Sequence, residues 1–327
     1  MKQWTDIIRE VFPSADILDA ALSYPIGEQG WAVDVTPARF DFADPDYHLF
    51  INLQDMLTGS ELTDLLTHFR DMNADLSRIT VLCWPMDVEQ SMPEDRFNIV
   101  TFSSHQYETW CTYKRSESVL REAFSPDKKT VEYSWVCPQR IYKPHRAVLF
   151  SKLKQFSHGN ISLQSKGSEL HYPSLSYAEY DSTYDNLTNL LAMKKNYNTA
   201  VFSIVSESQF EQQYGIITEK TFNSIVAGLP FVVCGHRGAV DQIKRLGFDT
   251  YDTFFDHSYD DVDNSVRIKF MIELNRKLIK NQLSSVEKQM IYEELSDRIE
   301  FNRTYFFEQF GDQLIDNLRR DLLNLWS

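Results

Sequence analysis

A glutamate followed directly by a lysine, Glu219-Lys220, stands after a threonine and before a helical apolar pattern. Thr218 has the side chain of an N-cap, and Glu219 falls in the first turn, where the helix dipole favours a carboxylate. The N–H groups of that turn have no partner within the helix, so they can meet an anion, and Lys220 adds a full positive charge beside them. The pattern suits a phosphate with a hydroxylated neighbour, such as a nucleotide and its ribose. A second basic group lies upstream at Arg140, Lys143 and Arg146, with His145 adjoining. The guanidinium fork of Arg146 can take phosphate oxygens bidentately and stabilise charge on a departing diphosphate. Arg140 is a further candidate for that work; an interdomain salt bridge is the alternative for both arginines. Glu207 follows an apolar run and is expected at the carboxyl end of a strand, where it either binds ligand or caps a loop.

The elements that must position these groups can be read from hydrophobic periodicity. Phe222, Ile225 and Val226 have helical spacing, Gly228 suits the residue after a helix end, and Pro230 bars continuation. The run 231–234 is continuously apolar, as in a parallel strand covered on both faces. Upstream, strands are expected over 47–53, 78–84, 97–103, 130–136, 161–164 and 199–206. Helices are expected over 60–72 (with Leu62, Leu65, Leu66 and Phe69 inward), 116–124, 146–156 and 239–246. Ser284 and Glu287 form a capping box that opens a long helical tail to about residue 325. Alternating strands and helices predict a mostly parallel α/β fold. Five of the eleven glycines, Gly215, Gly228, Gly235, Gly238 and Gly247, fall in one short region, as a nucleotide crevice requires.

The run from Glu207 through YGIITEKTFNSIVAGLPFVVCG to Asp260 resembles a glycosyltransferase family found largely in phage and bacterial genomes. More distantly it is similar to fucosyltransferases, whose donor site also sets a Glu-Lys pair before a helix. Cys137-Pro-Gln-Arg-Ile-Tyr-Lys-Pro-His-Arg146 is a second matching element, with Gln139 where the family usually has Asn. The matches span roughly residues 137 to 270. The resemblance implies a GT-B-like fold: two Rossmann-like domains with a nucleotide-sugar cleft and a C-terminal helical tail. The expected boundaries are 1–137 for an acceptor-side domain, 138–283 for the nucleotide-sugar domain and 284–327 for the tail. It also implies a nucleoside diphosphate sugar as donor, with Glu219 on the ribose, Lys220 on the diphosphate, and Arg146, Glu207, Arg140 and Thr218 around them. An attacking acceptor hydroxyl loses its proton to a base. Asp55, Asp87 and His105 each follow a predicted strand and are the candidates, unless the reaction retains configuration and uses none. The acceptor is a hydroxymethylated base in phage DNA or a surface glycan. A non-catalytic nucleotide-sugar-binding module is the reading from another class.

Composition narrows the field. A formal charge of −14 lacks the basic excess with which general nucleic-acid binders neutralise phosphates. No apolar run approaches the ~20 residues of a membrane-spanning helix, and the start of the chain is not a signal peptide, so a cytoplasmic protein is expected. Cys83, Cys111, Cys137 and Cys234 are scattered, as buried reduced thiols would be. The pairs Asp44/Asp46 and Asp261/Asp263 imitate a metal-binding Asp-x-Asp but fall in expected solvated loops; neither a metal nor a resident cofactor is expected.

Overall fold

The computed structural model describes residues 3–19, 48–52, 69–71, 74–83, 97–139, 142–163, 186–211 and 215–325. Among these residues the chain is mixed α/β with two parallel sheets, and it divides into two compact units. The first comprises residues 1–108 and 311–327, the second 109–310. The chain passes from one to the other inside a helix and returns just after a π-helical turn.

In the first unit, helix α1 (Trp4–Val11) precedes four parallel strands, β1 (Asp16–Asp19), β2 (Leu49–Asn52), β3 (Ile79–Cys83) and β4 (Asn98–Thr101), adjacent in chain order. All four residues of β2 are buried, as a central strand covered on both faces requires. Trp4, Ile7 and Ile8 form the buried face of α1, which packs against the C-terminal helix (Gly311–Asn324). Only 69–71 of the helix expected over 60–72 fall among the described residues; they are helical, with Phe69 buried. Helix α2 (Ser104–Arg115) begins three residues beyond β4 and carries the chain into the second unit.

The second unit continues through α3 (Glu117–Ala123), β5 (Tyr133–Cys137), α4 (Pro144–Leu153), β6 (Gly159–Ile161), α5 (Asn186–Ala192), α6 (Lys194–Asn198) and β7 (Ala200–Ser206). Then come α7 (Glu219–Val226), β8 (Phe231–Cys234), α8 (Ala239–Arg245), α9 (Asn264–Leu274), α10 (Arg276–Ile279) and α11 (Ser285–Tyr305). The sheet order is β6-β5-β7-β8, all parallel, with Val136 opposite Ser203 and Ser206 opposite Cys234. Every residue of β7 and β8 is buried, which explains why β8 is wholly apolar and β7 apolar but for Ser203 and Ser206.

Strand β8 lies at the sheet edge, and Tyr259 occupies its outer side. The Val233 N–H donates to the Tyr259 hydroxyl at 3.2 Å, and that hydroxyl donates back to the Val233 carbonyl at 2.9 Å. One side chain thus satisfies both outward backbone groups of Val233, which an edge strand would otherwise expose. Ser284 and Glu287 form the expected capping box of α11. The helical tail is interrupted, however: a π-helical turn, Phe306–Phe310, separates α11 from the C-terminal helix. Phe306 and Phe310 are spent on the core there, packing with Phe222 of α7 at 5.5 and 5.3 Å between ring centres.

Candidate functional site

The order of the second sheet sets a topological switch point between β5 and β7. The chain leaves β5 toward β6, then turns back and lays β7 on the other side of β5, with β8 beyond it. The segments leaving the carboxyl ends of β5 and β7 therefore part company. In open α/β sheets that parting is where ligands settle.

On the β5 side, Pro144 opens α4 at its first position, where a missing N–H costs nothing. His145 and Arg146 follow in the first turn, both buried. Arg146 reaches across to β7, donating through Nη2 to the carbonyls of Ser206 and Glu207, each at 3.3 Å. Burial lowers its pKa, and the carboxylates of Glu207 and Glu219 act in the opposite sense. His145 Nε2 lies 3.1 Å from the Glu207 carbonyl and must donate to it. Burial pushes the His145 imidazole down to about 4, so it is neutral at pH 7. Its ring stacks on Phe210 at 5.1 Å. Lys143, half-buried before the helix, donates to the Ser208 carbonyl at 2.7 Å.

On the β7 side, Glu207 is fully buried and both its oxygens are taken. Oε2 accepts from the Thr218 hydroxyl at 2.5 Å; Oε1 accepts from the Thr221 hydroxyl at 2.6 Å and the Thr218 N–H at 3.3 Å. Of the two roles the sequence allows Glu207, the geometry shows the capping one: its carboxylate closes the start of α7. Thr218 is the N-cap, accepting from the Lys220 N–H at 3.5 Å. The Lys220 ammonium meets Glu219 Oε1 at 2.6 Å, Ser208 Oγ at 3.0 Å and Thr218 Oγ1 at 3.1 Å. Its three donors face three acceptors. Glu219 and Lys220 remain partly open, their side chains 22 and 25% exposed.

Two further residues hold the segment after β7. Arg267 of α9, fully buried, donates to the carbonyls of Gly235 at 2.9 Å and Phe210 at 3.4 Å, and its guanidinium lies 5.3 Å from the Phe210 ring. Gly235 lets the turn after β8 pass close to Glu207: a Cβ there would stand 3.4 Å from the Glu207 Cβ and 3.0 Å from that of Ala239. At the far end of α7, Gly228 adopts φ +61°, the left-handed conformation its place after the helix demands.

Arg146, Glu207, Thr218, Glu219 and Lys220 thus come together within the second unit. Arg140, Asp55 and Asp87 lie outside the described residues, as do Asp44 and Asp46. His105 is half-buried in the first turn of α2, in the first unit. Asp261 pairs with Arg237 at 3.2 Å and Asp263 caps α9, so that acidic pair is spent on local structure. Among the described residues no three His, Cys, Asp or Glu side chains are grouped to hold a metal ion, and no helix is long and apolar enough to cross a membrane. Cys111, Cys137 and Cys234 are buried free thiols. Sequence reasoning did not single out Ser208, Phe210 or Arg267; only contacts between distant segments reveal their part.

No family model matches the chain, and no curated protein matches it. Among solved structures it is similar to the wall teichoic acid polymerase TagF, at 12% identity and a TM-score of 0.26, over 87% of this chain and 71% of that one. A likeness of that size carries neither fold nor activity across.

Proposed function

We propose that the switch point between the carboxyl ends of β5 and β7 is the donor site of a nucleotide-sugar-dependent glycosyltransferase of GT-B type. The observation that carries this reading is the convergence of Lys143, Arg146 and Lys220 on residues 206–208, between the N-termini of α4 and α7. Fixed cations and helix N-termini at the carboxyl edge of a parallel sheet suit a diphosphate without a metal. Lys220 binds the diphosphate by exchanging one of its three acceptors for a phosphate oxygen. Leaving Glu219 frees that carboxylate to accept from the ribose hydroxyls. Arg146 then lies beside the bond that breaks. The acceptor oxygen attacks the sugar carbon, the bond to the β-phosphate oxygen cleaves, and the nucleoside diphosphate departs with added negative charge that Arg146 and Lys220 stabilise. Asp55, Asp87 and His105 are the candidates to take the acceptor's proton. With a net charge of −14, a glycan hydroxyl suits the chain better than a hydroxymethylated base in DNA.

Thermal unfolding against nucleoside diphosphates and their sugars tests the donor site. A bound ligand raises the midpoint by an amount set by its concentration over Kd. One nucleotide series is expected to raise it, and Lys220→Ala to weaken binding about tenfold or more, as for a lost hydrogen bond to a charged group. No rise with any nucleotide overturns the donor reading. Slow release of free sugar from the bound donor separates a transferase from a pure binding module.

A further inference from the structure

We propose that the solvent face of α9 and α10 and the solvent face of α11 are the two halves of a contact between copies of this chain. On α9, Val266, Phe270 and Leu274 stand four residues apart along one exposed stripe, with Phe270 44% exposed. On α11, Val286, Met290 and Phe301 fall on one exposed stripe in the same way, with Met290 62% exposed. Single apolar side chains at a surface are ordinary; two helical stripes of them mark a surface that meets something. The buried faces of the two helices are made by other residues, Ile268, Met271 and Ile272 on α9 and Ile291, Leu295 and Ile299 on α11. The stripes are therefore surplus to the core.

The charges beside the stripes identify the occupant. Lys269, Arg276 and Lys277 are exposed along α9 and α10, and Glu273, the acidic residue of that face, is taken up by Lys280. That leaves three positive charges in no ion pair among the described residues. Glu293, Glu294 and Asp297 are exposed between Met290 and Phe301 on α11. The basic residues nearest them on that helix are committed elsewhere: Lys288 is buried and donates to the Glu132 carbonyl, and Arg298 pairs with Asp249. The three carboxylates likewise enter no ion pair among the described residues. One face is thus apolar and basic, the other apolar and acidic. Both belong to the second unit and both are exposed, so they do not meet within one copy. A second copy supplies each with its complement. At a net charge of −14 two copies repel at long range, so only a contact matched in this local way holds them together. Exposed ion pairs contribute little singly and weaken with salt; the apolar stripes supply the rest.

The test is sedimentation velocity of the full chain between about 1 and 100 μM, the range in which modest interfaces assemble, at low and at high salt. Wild type is expected to associate as its concentration rises, and less so as salt rises. Phe270→Ser and Met290→Ser should each weaken association about fivefold or more. Lys269→Glu with Lys277→Glu makes both faces acidic; Glu294→Lys with Asp297→Lys makes both basic. Each of these charge-reversed chains alone is expected to stay monomeric. An equimolar mixture of the two should associate again, because each then meets the opposite charge, and that recovery also shows that both are folded. A wild type that stays monomeric across the range overturns the proposal. So does association that none of these substitutions weakens, and so does a mixture that fails to recover, since the two faces then do not meet each other. A monomeric wild type that sediments with vesicles of anionic phospholipid, and ceases to do so in Phe270→Ser, gives the α9 face to a membrane surface and overturns the contact between copies.

Discussion

Glu207→Gln is expected to weaken the fold around α7 while leaving nucleotide contacts in place. The carboxylate accepts three hydrogen bonds, from two threonine hydroxyls and the Thr218 N–H. A glutamine keeps one oxygen. If that oxygen faces Thr218 Oγ1, the new amide faces the Oε1 position, where the Thr218 N–H also points, and two donors confront each other. Thr221 can rotate its hydroxyl to accept, but a backbone N–H cannot. In the flipped orientation the amide faces Thr218 Oγ1, which already accepts from the Lys220 N–H and ammonium, so either way one hydrogen bond to a charged group is lost, at about 1.5–3 kcal/mol. Removing the negative charge from a helix N-terminus adds about 0.3–1 kcal/mol. Arg146 loses the first of the carboxylates that favour its charge. The sum, about 2–4 kcal/mol, corresponds to a fall in midpoint of about 4–16 °C for a body of this size. The assay is thermal unfolding followed by tryptophan fluorescence, since Trp135 lies buried in the same sheet, together with nucleotide titration below the transition. A midpoint within about 1 °C of wild type, with nucleotide affinity gone, would refute the capping role and make Glu207 a ligand contact.

Two other predictions concern the body that carries the site. Burial pushes the Lys129 ammonium down to about 7, against a carbonyl-lined seat where it donates to Ala227 at 3.0 Å and Tyr197 at 3.4 Å. Its folded pKa lies below its unfolded one, so the unfolded chain holds the extra proton between the two values, and stability rises with pH across that window. The expected slope is about 1.4 kcal/mol per pH unit from roughly 7 to 10; Lys129→Met should flatten it in denaturant titrations at several pH values, and an unchanged slope would contradict the assignment. Tyr259→Phe should strip both edge groups of Val233 of their partner and cost about 1–3 kcal/mol in the same titrations at pH 7, with a loss below about 0.5 kcal/mol counting against the edge-sealing role.

Local pattern carried much of this fold. Strand β8 coincides with its expected span because an unbroken apolar run is bracketed by Gly228, Pro230 and Gly235. Strand β7 differs by one residue. The helix expected over 146–156 starts earlier, at Pro144, because a proline inside a turn-like stretch is also a favourable first residue of a helix. Strand β6 ends at Ile161, where a strand over 161–164 was expected to begin. Helix α2 was hidden among aromatic and β-branched residues directly after a strand. Its signal was nonetheless present: Ser103 accepts from the Gln106 N–H at 2.9 Å, the S-x-x-Q form of a helix start. Sheet order was not legible, because β5 and β7 pair across some sixty residues and no local pattern says on which side of β5 the chain returns. Arg267 was illegible for a related reason: on a helix it resembles any exposed arginine until its carbonyl acceptors are placed around it.

The electrostatics of α7 explain why the site is stable before any ligand arrives. Its N-terminal end meets the buried carboxylate of Glu207 and the first-turn carboxylate of Glu219; its C-terminal carbonyl at Ala227 accepts from Lys129, and the Arg303 side chain lies against Gly228 just beyond. The N-terminal end is thus met by carboxylates, and the C-terminal end by the Arg303 guanidinium and by a Lys129 whose charge is present only below about pH 7. A helix so satisfied need not be organised by an incoming anion. On the proposed donor reading the anion displaces Glu219 from Lys220, an exchange of one negative partner for another at the ammonium. On the same reading, Glu219→Ala separates the two effects of that exchange: it removes the competitor, which should tighten inorganic pyrophosphate binding, and it removes the proposed ribose acceptor, which should weaken nucleoside diphosphate binding. Movement of the two affinities in the same direction would show that Glu219 acts on Lys220 alone.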